Sequence, residues 1–419
     1  MRFFFCDPGL LGDVGHHAQS SRAIVGELRR RGIETQVFGS RHVEPKLQEE
    51  LSARPHFRGF TYHFTDGDPV CGWLAAFLET TRLTIEDLRT LDPAPGPEDV
   101  VFLHSGQAAQ LRALVGWLRD APDIQRALLE FGTDPGLDLQ RTPTGLNAEI
   151  RDPRQDPRSV FLRLAANEMD ESVLRRLQMT TFDPAASELY ELLLRRPVAT
   201  LPVPRRRITD PRSRAGRRPV TVAVLGHQRL EKGYHLVPAI FEGLLQLFPG
   251  SELRLLAHNG GVGESPAEQE ALARLAARDS RLVVEEKTAD ETHWAQLLER
   301  SDLIVCPYES NRFAASYSAV ACEAVANGIP LVVPAETTLA RTASEFGGGV
   351  AFAQWTAESV LIATAQAIRD FDRLAALAEA GAERWAQQHG PARTVDAILA
   401  LTSASPPAAT SAGGRRSSP

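Results

Sequence analysis

Val220-Thr221-Val222-Ala223-Val224-Leu225 runs straight into Gly226-His227-Gln228-Arg229-Leu230-Glu231-Lys232-Gly233. The first stretch has the continuous apolar character of a strand buried on both faces. The second is a basic turn bracketed by glycines, which allow backbone to come close to a ligand. A helix-like stretch, 233–248, follows. Strand, glycine-bearing loop and helix together form the unit that binds phosphate groups, because free backbone N–H groups and the helix dipole face the loop. Arg229 and Lys232 add fixed positive charge. Read alone, both also fit solvated charges in a turn, with Glu231 as the neighbouring carboxylate that orients Lys232.

A second such unit lies further along the chain. Leu303-Ile304-Val305-Cys306-Pro307-Tyr308 leads through a small-residue loop to Ser316-Tyr317-Ser318-Ala319-Val320-Ala321-Cys322-Glu323-Ala324. If a helix begins near Ser318, Glu323 lies about 7.5 Å along its axis. A diphosphate over the helix start would leave its ribose about that far away, where a carboxylate accepts both hydroxyls. Ser316 and Ser318 fit either helix caps or phosphate ligands. Tyr308 and Arg312 belong to the same loop. Glu323 also fits an exposed helix glutamate, although Cys322 and Ala324 flank it in an otherwise apolar helix.

The C-terminal half alternates strand-like runs (220–225, 252–258, 282–286, 302–308, 330–334, 349–353) with helix-like stretches such as 265–278. That pattern predicts a parallel sheet covered by helices on both faces. Ligands in such sheets bind at the carboxyl ends of the strands, where both loops fall. The N-terminal half repeats the scheme less regularly, with strands at 2–6, 34–39, 100–104, 126–131 and 178–182 and a helix over 18–31. The stretch 51–99 reads as irregular and aromatic.

The two motifs resemble the nucleotide-sugar half of retaining GT-B glycosyltransferases of the E-x7-E type. The likeness of layout covers most of residues 1–400, while its specific motifs are confined to 226–233 and 307–334. It implies two Rossmann-like doubly wound α/β domains facing across a cleft. The implied division is 1–200 for an acceptor domain, 201–218 for an Arg/Pro-rich linker, 219–401 for a nucleotide-sugar domain and 402–419 for a disordered tail. It further implies that Arg229 and Lys232 grip the donor diphosphate and that Glu323 holds the ribose. His227 stands where the family has an arginine, and Ala315 stands where its first glutamate would contact the sugar. A GT-B-like nucleotide-sugar epimerase shares this pattern, and the gap at Ala315 also suits a non-catalytic nucleotide-sugar-binding relative.

By the same resemblance, Gly12-Asp13-Val14-Gly15-His16-His17 is the glycine-rich first loop reaching the cleft. Gly15 would approach the ligand and His16, at the helix start, the reacting centre. His104, ending Val100-Val101-Phe102-Leu103, would contact the sugar; a structural histidine at a strand end fits it equally well.

Transfer of a sugar leaves charge on the departing diphosphate, which a metal or aimed protein donors must stabilise. Asp66-Gly67-Asp68 has the Asp-x-Asp form but lies in the irregular stretch rather than after a donor-half strand. No metal or other cofactor is expected beyond the nucleotide-sugar substrate.

The 419 residues exceed one core and suggest two domains. A net charge of −7 argues against nucleic acid as the main partner. Cys6, Cys71, Cys306 and Cys322 form no metal-like spacing and suit a reducing cytosol. No run reaches the roughly 18 apolar residues of a membrane span, and Met1 to Cys6 is too short for a signal peptide. A cytoplasmic enzyme is therefore expected. Its acceptor is an unidentified glycan, lipid-linked or protein group, the lipid-linked one implying peripheral membrane contact. The nine arginines from Arg195 to Arg218, with Pro202, Pro204 and Pro211, read as a solvated basic linker.

Overall fold

The predicted strands pair into two parallel sheets, with the bounds shifted by one to three residues. The structure, a computed structural model, describes residues 1–13, 15–62, 69–142, 145–210, 213–227, 229–258, 266–285 and 289–403. Asp66-Gly67-Asp68, Gln228 and residues 404–419 of the expected tail lie outside these.

The first sheet holds β1 (Phe3–Cys6), β2 (Thr35–Ser40), β3 (Ala53–Phe57), β4 (Val100–Gly106), β5 (Arg126–Phe131), β8 (Leu177–Thr181) and β9 (Ala199–Thr200), in the order β3-β2-β1-β4-β5-β8-β9. An antiparallel pair, β6 (Leu137–Thr142) and β7 (Gly145–Ile150), stands beside it. The second sheet holds β10 (Val220–Val224), β11 (Leu253–His258), β12 (Leu282–Glu285), β13 (Leu303–Val305), β14 (Leu331–Pro334) and β15 (Gly349–Phe352). Its order is β12-β11-β10-β13-β14-β15.

Both orders reverse direction once, between β1 and β4 and between β10 and β13. A doubly wound sheet leaves a crevice at that reversal, because the flanking helices go to opposite faces. The loops after β1, β4, β10 and β13 are therefore the ones that meet a ligand. These are the two Rossmann-like halves of a GT-B fold.

Three readings of the sequence are corrected. The stretch 51–99 is not irregular: it contains β3 and the helix Pro69–Arg89. Its aromatic residues had masked the helix because Phe77 stacks on Phe161 at 4.5 Å and so serves packing rather than a loop. The stretch 201–218 is solvated only in part: Arg206, Asp210 and Arg218 are exposed, but much of the rest is packed. Leu201, Val203, Arg205, Thr209 and Arg214 are all buried. Leu201 and Val203 sit in an apolar cluster that runs from Phe5 and Ile24 to Val325, Trp385 and Ile398. Each buried aliphatic side chain there contributes about 1.5–3 kcal/mol. Arg214 is buried with them because its guanidinium donates to the carbonyls of Ser301 and Asn327, capping buried chain that would otherwise lack donors.

The final helix, Pro391–Ser403, takes in Thr402 and Ser403, which the sequence reading assigned to the tail. It packs back on the helix Gly15–Arg30 of the first half, and Arg31 pairs with Asp396 at 2.6 Å. No helix among the described residues is long and apolar enough to cross a membrane.

Gly233 holds the two donor-half loops together. Its φ is +68°, and a Cβ there would lie 1.8 Å from the carbonyl oxygen of Pro307. We expect Gly233→Ala to lose about 2 kcal/mol or more of stability, from the left-handed backbone and the clash together. A melting curve matching the wild type would contradict this contact.

Candidate functional site

The turn after β10 is built around two left-handed glycines. Gly226 has φ +105°, and a Cβ there would touch Val320 at 3.4 Å and Lys232 Nζ at 3.8 Å. Only glycine keeps that face open. A short 3₁₀ turn, Leu230–Lys232, then ends at Gly233. The Arg229 guanidinium lies 3.1 Å from Glu231 Oε1. Glu231 thus pairs closely with Arg229 and acts on Lys232 only as a neighbouring charge, without an ion pair. Lys232 forms no ion pair among the described residues and lies over the Tyr308 ring at 5.4 Å. Burial and then the charge of Arg229 push its ammonium down to about 8.

The loop after β13 meets this turn from the other side, where Glu309 N donates to Glu231 O at 2.9 Å. The helix Ala319–Ala326 follows, and Ser318 caps it by accepting from Ala321 N at 3.3 Å. Capping and facing the ligand space are compatible here: Ser316 and Ser318 both line the cavity described below. Tyr308 does not line it. Its ring is buried under Lys232 and against Phe313 at 4.5 Å, so it supports the lysine from below.

Glu323 is buried rather than an exposed helix residue, at 4 % exposure. Trp294 Nε1 donates to its Oε2 at 2.5 Å, and Arg205 Nε stands 3.0 Å from its Oε1. Burial raises this carboxyl, while Arg205, the Trp294 bond and Lys232 act against that rise.

The N-terminal half supplies the facing wall. Gly15, with φ +84°, turns the chain into its helix and brings His16 to the cleft. His16 Nε2 lies 3.1 Å from Tyr62 Oη and 3.2 Å from Ser105 Oγ. Burial, reinforced by His17, His104, Arg205 and Lys232, holds it well below the ordinary histidine range, so it is neutral at pH 7.

His104 sits deeper. It is buried at the end of β4 with Nδ1 2.9 Å from Glu130 Oε2. Desolvation opposes its charge, but Glu130 and Asp7 outweigh that and raise its pKa. It lines a small side cavity shared with Ala315 and Glu130, not the main one. Asp7, His17 and His104 form the metal-ligand-like group among the described residues, with candidate atoms within 4.8 Å. Asp7 is already taken up there by His17 Nδ1 at 2.8 Å, Gly9 N at 2.9 Å and Ser21 Oγ at 3.2 Å. The group reads as a charge network beneath His16.

A cavity of about 420 Å³ opens between the halves. It brings together Gly15, His16, Gly226, Arg229, Lys232, Ser316, Ser318 and Glu323; of the predicted residues His104 and Tyr308 stay behind its wall. Sequence reasoning missed Tyr62, Asp134, Trp294 and Tyr317 on its surface. Trp294 follows an N-capping Asp290 in an amphipathic helix, a pattern indistinguishable from ordinary packing. Cations converge on a space that also carries hydrogen-bond acceptors, which suits a ligand with both phosphates and hydroxyls.

A family model described as "Family 4 Glycosyltransferase in conflict systems" matches residues 178–409, more than half of the chain. No curated protein matches it. Solved structures resemble the whole chain at low identity. The UDP-forming α,α-trehalose-phosphate synthase of Burkholderia xenovorans has a TM-score of 0.63 at 12% identity, covering 97% of this chain and 100% of that one. Anabaena Alr3699/HepE, solved in complex with UDP, has a TM-score of 0.61 at 14% identity, covering 96% and 100%. Sucrose-phosphate synthase of Thermosynechococcus elongatus has a TM-score of 0.61 at 14% identity, covering 96% and 98%.

The state of Lys232 gives a test by titration. An amine held near 8 is charged below that pH and neutral above it. Affinity for a nucleoside diphosphate should therefore fall as pH rises through about 8. Lys232→Arg should remove the fall, because a guanidinium stays charged throughout. Calorimetry from pH 7 to 9.5 that finds the wild type flat would refute this role.

Proposed function

The chain belongs to the family 4 glycosyltransferases of conflict systems, and from that premise we propose that it moves a sugar from a nucleoside-diphosphate donor without a metal and with retention of anomeric configuration. The observation that carries this is the convergence of Arg229, Lys232, Glu323 and the start of the helix Ala319–Ala326 on one cavity. The donor diphosphate lies between the two cations and the first-turn N–H groups of that helix. The ribose lies against Glu323. The sugar then reaches toward His16, whose neutral ring exchanges hydrogen bonds with hydroxyls and carries no charge that would oppose the cationic transition state.

Breaking the anomeric bond places negative charge on the leaving oxygen. Aimed donors in a partly desolvated site stabilise that charge more than the spread charge of the ground state. This arrangement supports a transfer in which protein cations do the work often given to a divalent ion. Retention rests on the likeness of the motifs to the E-x7-E group. Position 315 carries no carboxylate, but it faces the side cavity of His104 and Glu130. His104 therefore stands as a residue acting near the sugar from behind His16. UDP-linked sugars are the first donors to test, since two of the similar structures are named for UDP. The acceptor enters from the N-terminal side, as a glycan, lipid-linked or protein group.

Arg229→Ala and Lys232→Ala should each lower turnover by about 10²-fold, because each removes charge from the developing anion. Release of UDP from a UDP-sugar should require an acceptor. Near-normal rates in both variants would sink the mechanism; acceptor-independent conversion of donor would favour an epimerase, and tight UDP binding without turnover a binding protein.

A further inference from the structure

Arg205 belongs to the stretch between the two sheets, yet it is 4 % exposed. Its backbone is pinned on several sides. Trp385 Nε1 donates to Arg205 O at 2.9 Å, Gly390 N donates to Val203 O at 2.8 Å, and Thr394 Oγ1 donates to Pro202 O at 2.8 Å. The guanidinium therefore leaves a fixed base. Nε stands 3.0 Å from Glu323 Oε1, Nη1 donates to Ser20 Oγ at 3.3 Å on the helix Gly15–Arg30, and Tyr317 on the cavity wall also acts on the guanidinium. The contact with Glu323 is one of charge, not an aligned hydrogen bond.

Glu323 needs that charge. A carboxylate out of water is costly unless a counter-charge faces it. Lys232 is the other cation that acts on it, but the ligand's phosphates would compete for Lys232. Arg205 is held in the protein interior behind Glu323 and does not line the cavity, so it stays with the carboxylate when the site fills. Trp294 Nε1 fixes the second oxygen at 2.5 Å. Each oxygen then keeps a lone pair for a hydroxyl.

We infer that Arg205 is a positioning residue for the donor: its buried guanidinium keeps the Glu323 carboxylate charged and aimed at the ribose hydroxyls, and through Ser20 it ties that aim to the N-terminal half. This rests on the reading that Glu323 receives the ribose.

The test compares UDP with 2′,3′-dideoxy-UDP by calorimetry in the wild type, Arg205→Met, Glu323→Gln and the double variant. The wild type should prefer UDP by about tenfold or more, since the analogue leaves the carboxylate unanswered. Arg205→Met should lose most of that preference while binding the dideoxy analogue almost as the wild type does, and Arg205→Lys should restore part of it. A merely structural arginine would weaken both ligands alike. Arg205→Met strands a buried carboxylate and can fail to fold; the double variant removes that charge. Because Arg205 acts through Glu323, the double variant should match Glu323→Gln in its preference. A folded Arg205→Met with the wild-type preference would overturn the inference, as would a double variant shifted about tenfold from Glu323→Gln. A wild type that binds UDP without preferring it over the analogue would overturn the ribose reading itself, and the inference with it.

Discussion

The donor face of this enzyme depends on one close approach between backbones. Gly233 presses on the carbonyl of Pro307, whose oxygen also accepts from Trp355 Nε1 at 2.8 Å. A second backbone bond, Glu309 to Glu231, closes the other end of the same seam. The turn after β10 and the loop after β13 thus become one rigid surface. Lys232 is placed by that seam, since it immediately precedes the glycine and its ammonium lies over the Tyr308 ring. Without the seam, two loops about eighty residues apart would have to find a shared ligand by closing on it, at the cost of their ordering entropy.

The electrostatics of the site follow from crowding like charges at a half-buried crevice. Cationic side chains crowd there, and His16 and His227 yield. His16 is driven well below its usual range, and burial with the charges of Lys232 and Arg229 holds His227 at about 4. Lys232 itself is pushed down. Such a site is strained electrostatically until an anion enters, so the same field that depresses these pKa values favours phosphate binding. His227, which replaces the arginine of the family pattern, therefore adds a neutral donor or acceptor where the pattern had charge. Arg229, farther along the turn and paired with Glu231, carries the guanidinium instead.

Much of this was legible in the amino-acid order, for a physical reason. Continuous apolar runs such as Val220 to Leu225 have no other stable home than a sheet covered on both faces, and glycine after such a run marks a turn. Gly226, Arg229, Lys232 and Glu323 could be picked out because local spacing sets their placement. What stayed hidden depended on distant contacts. Arg205 reads as one arginine among nine until Trp385, Gly390 and Thr394 fold over its backbone. Trp294 is an ordinary helix tryptophan until the neighbouring strand order sets it beside Glu323. Sequence proximity makes Glu231 a neighbouring charge for Lys232, which it is, but its close ion pair with Arg229 shows only in the fold. His104 reads as the last residue of its strand, yet β4 continues to Gly106, and its depth comes from Phe5, Phe102 and Phe182 packing around its ring.

The return of the last helix onto the first half has a mechanical meaning. The chain passes between the halves at two places: once through 201–218, and again where Pro391–Ser403 comes back to rest on Gly15–Arg30. The two passages lie side by side through the Val203–Gly390 bond, and Leu201, Trp385 and Ile398 share one packed cluster there. A load that parts the halves therefore falls on a covalent passage and a docked helix together, not on one thread of backbone alone.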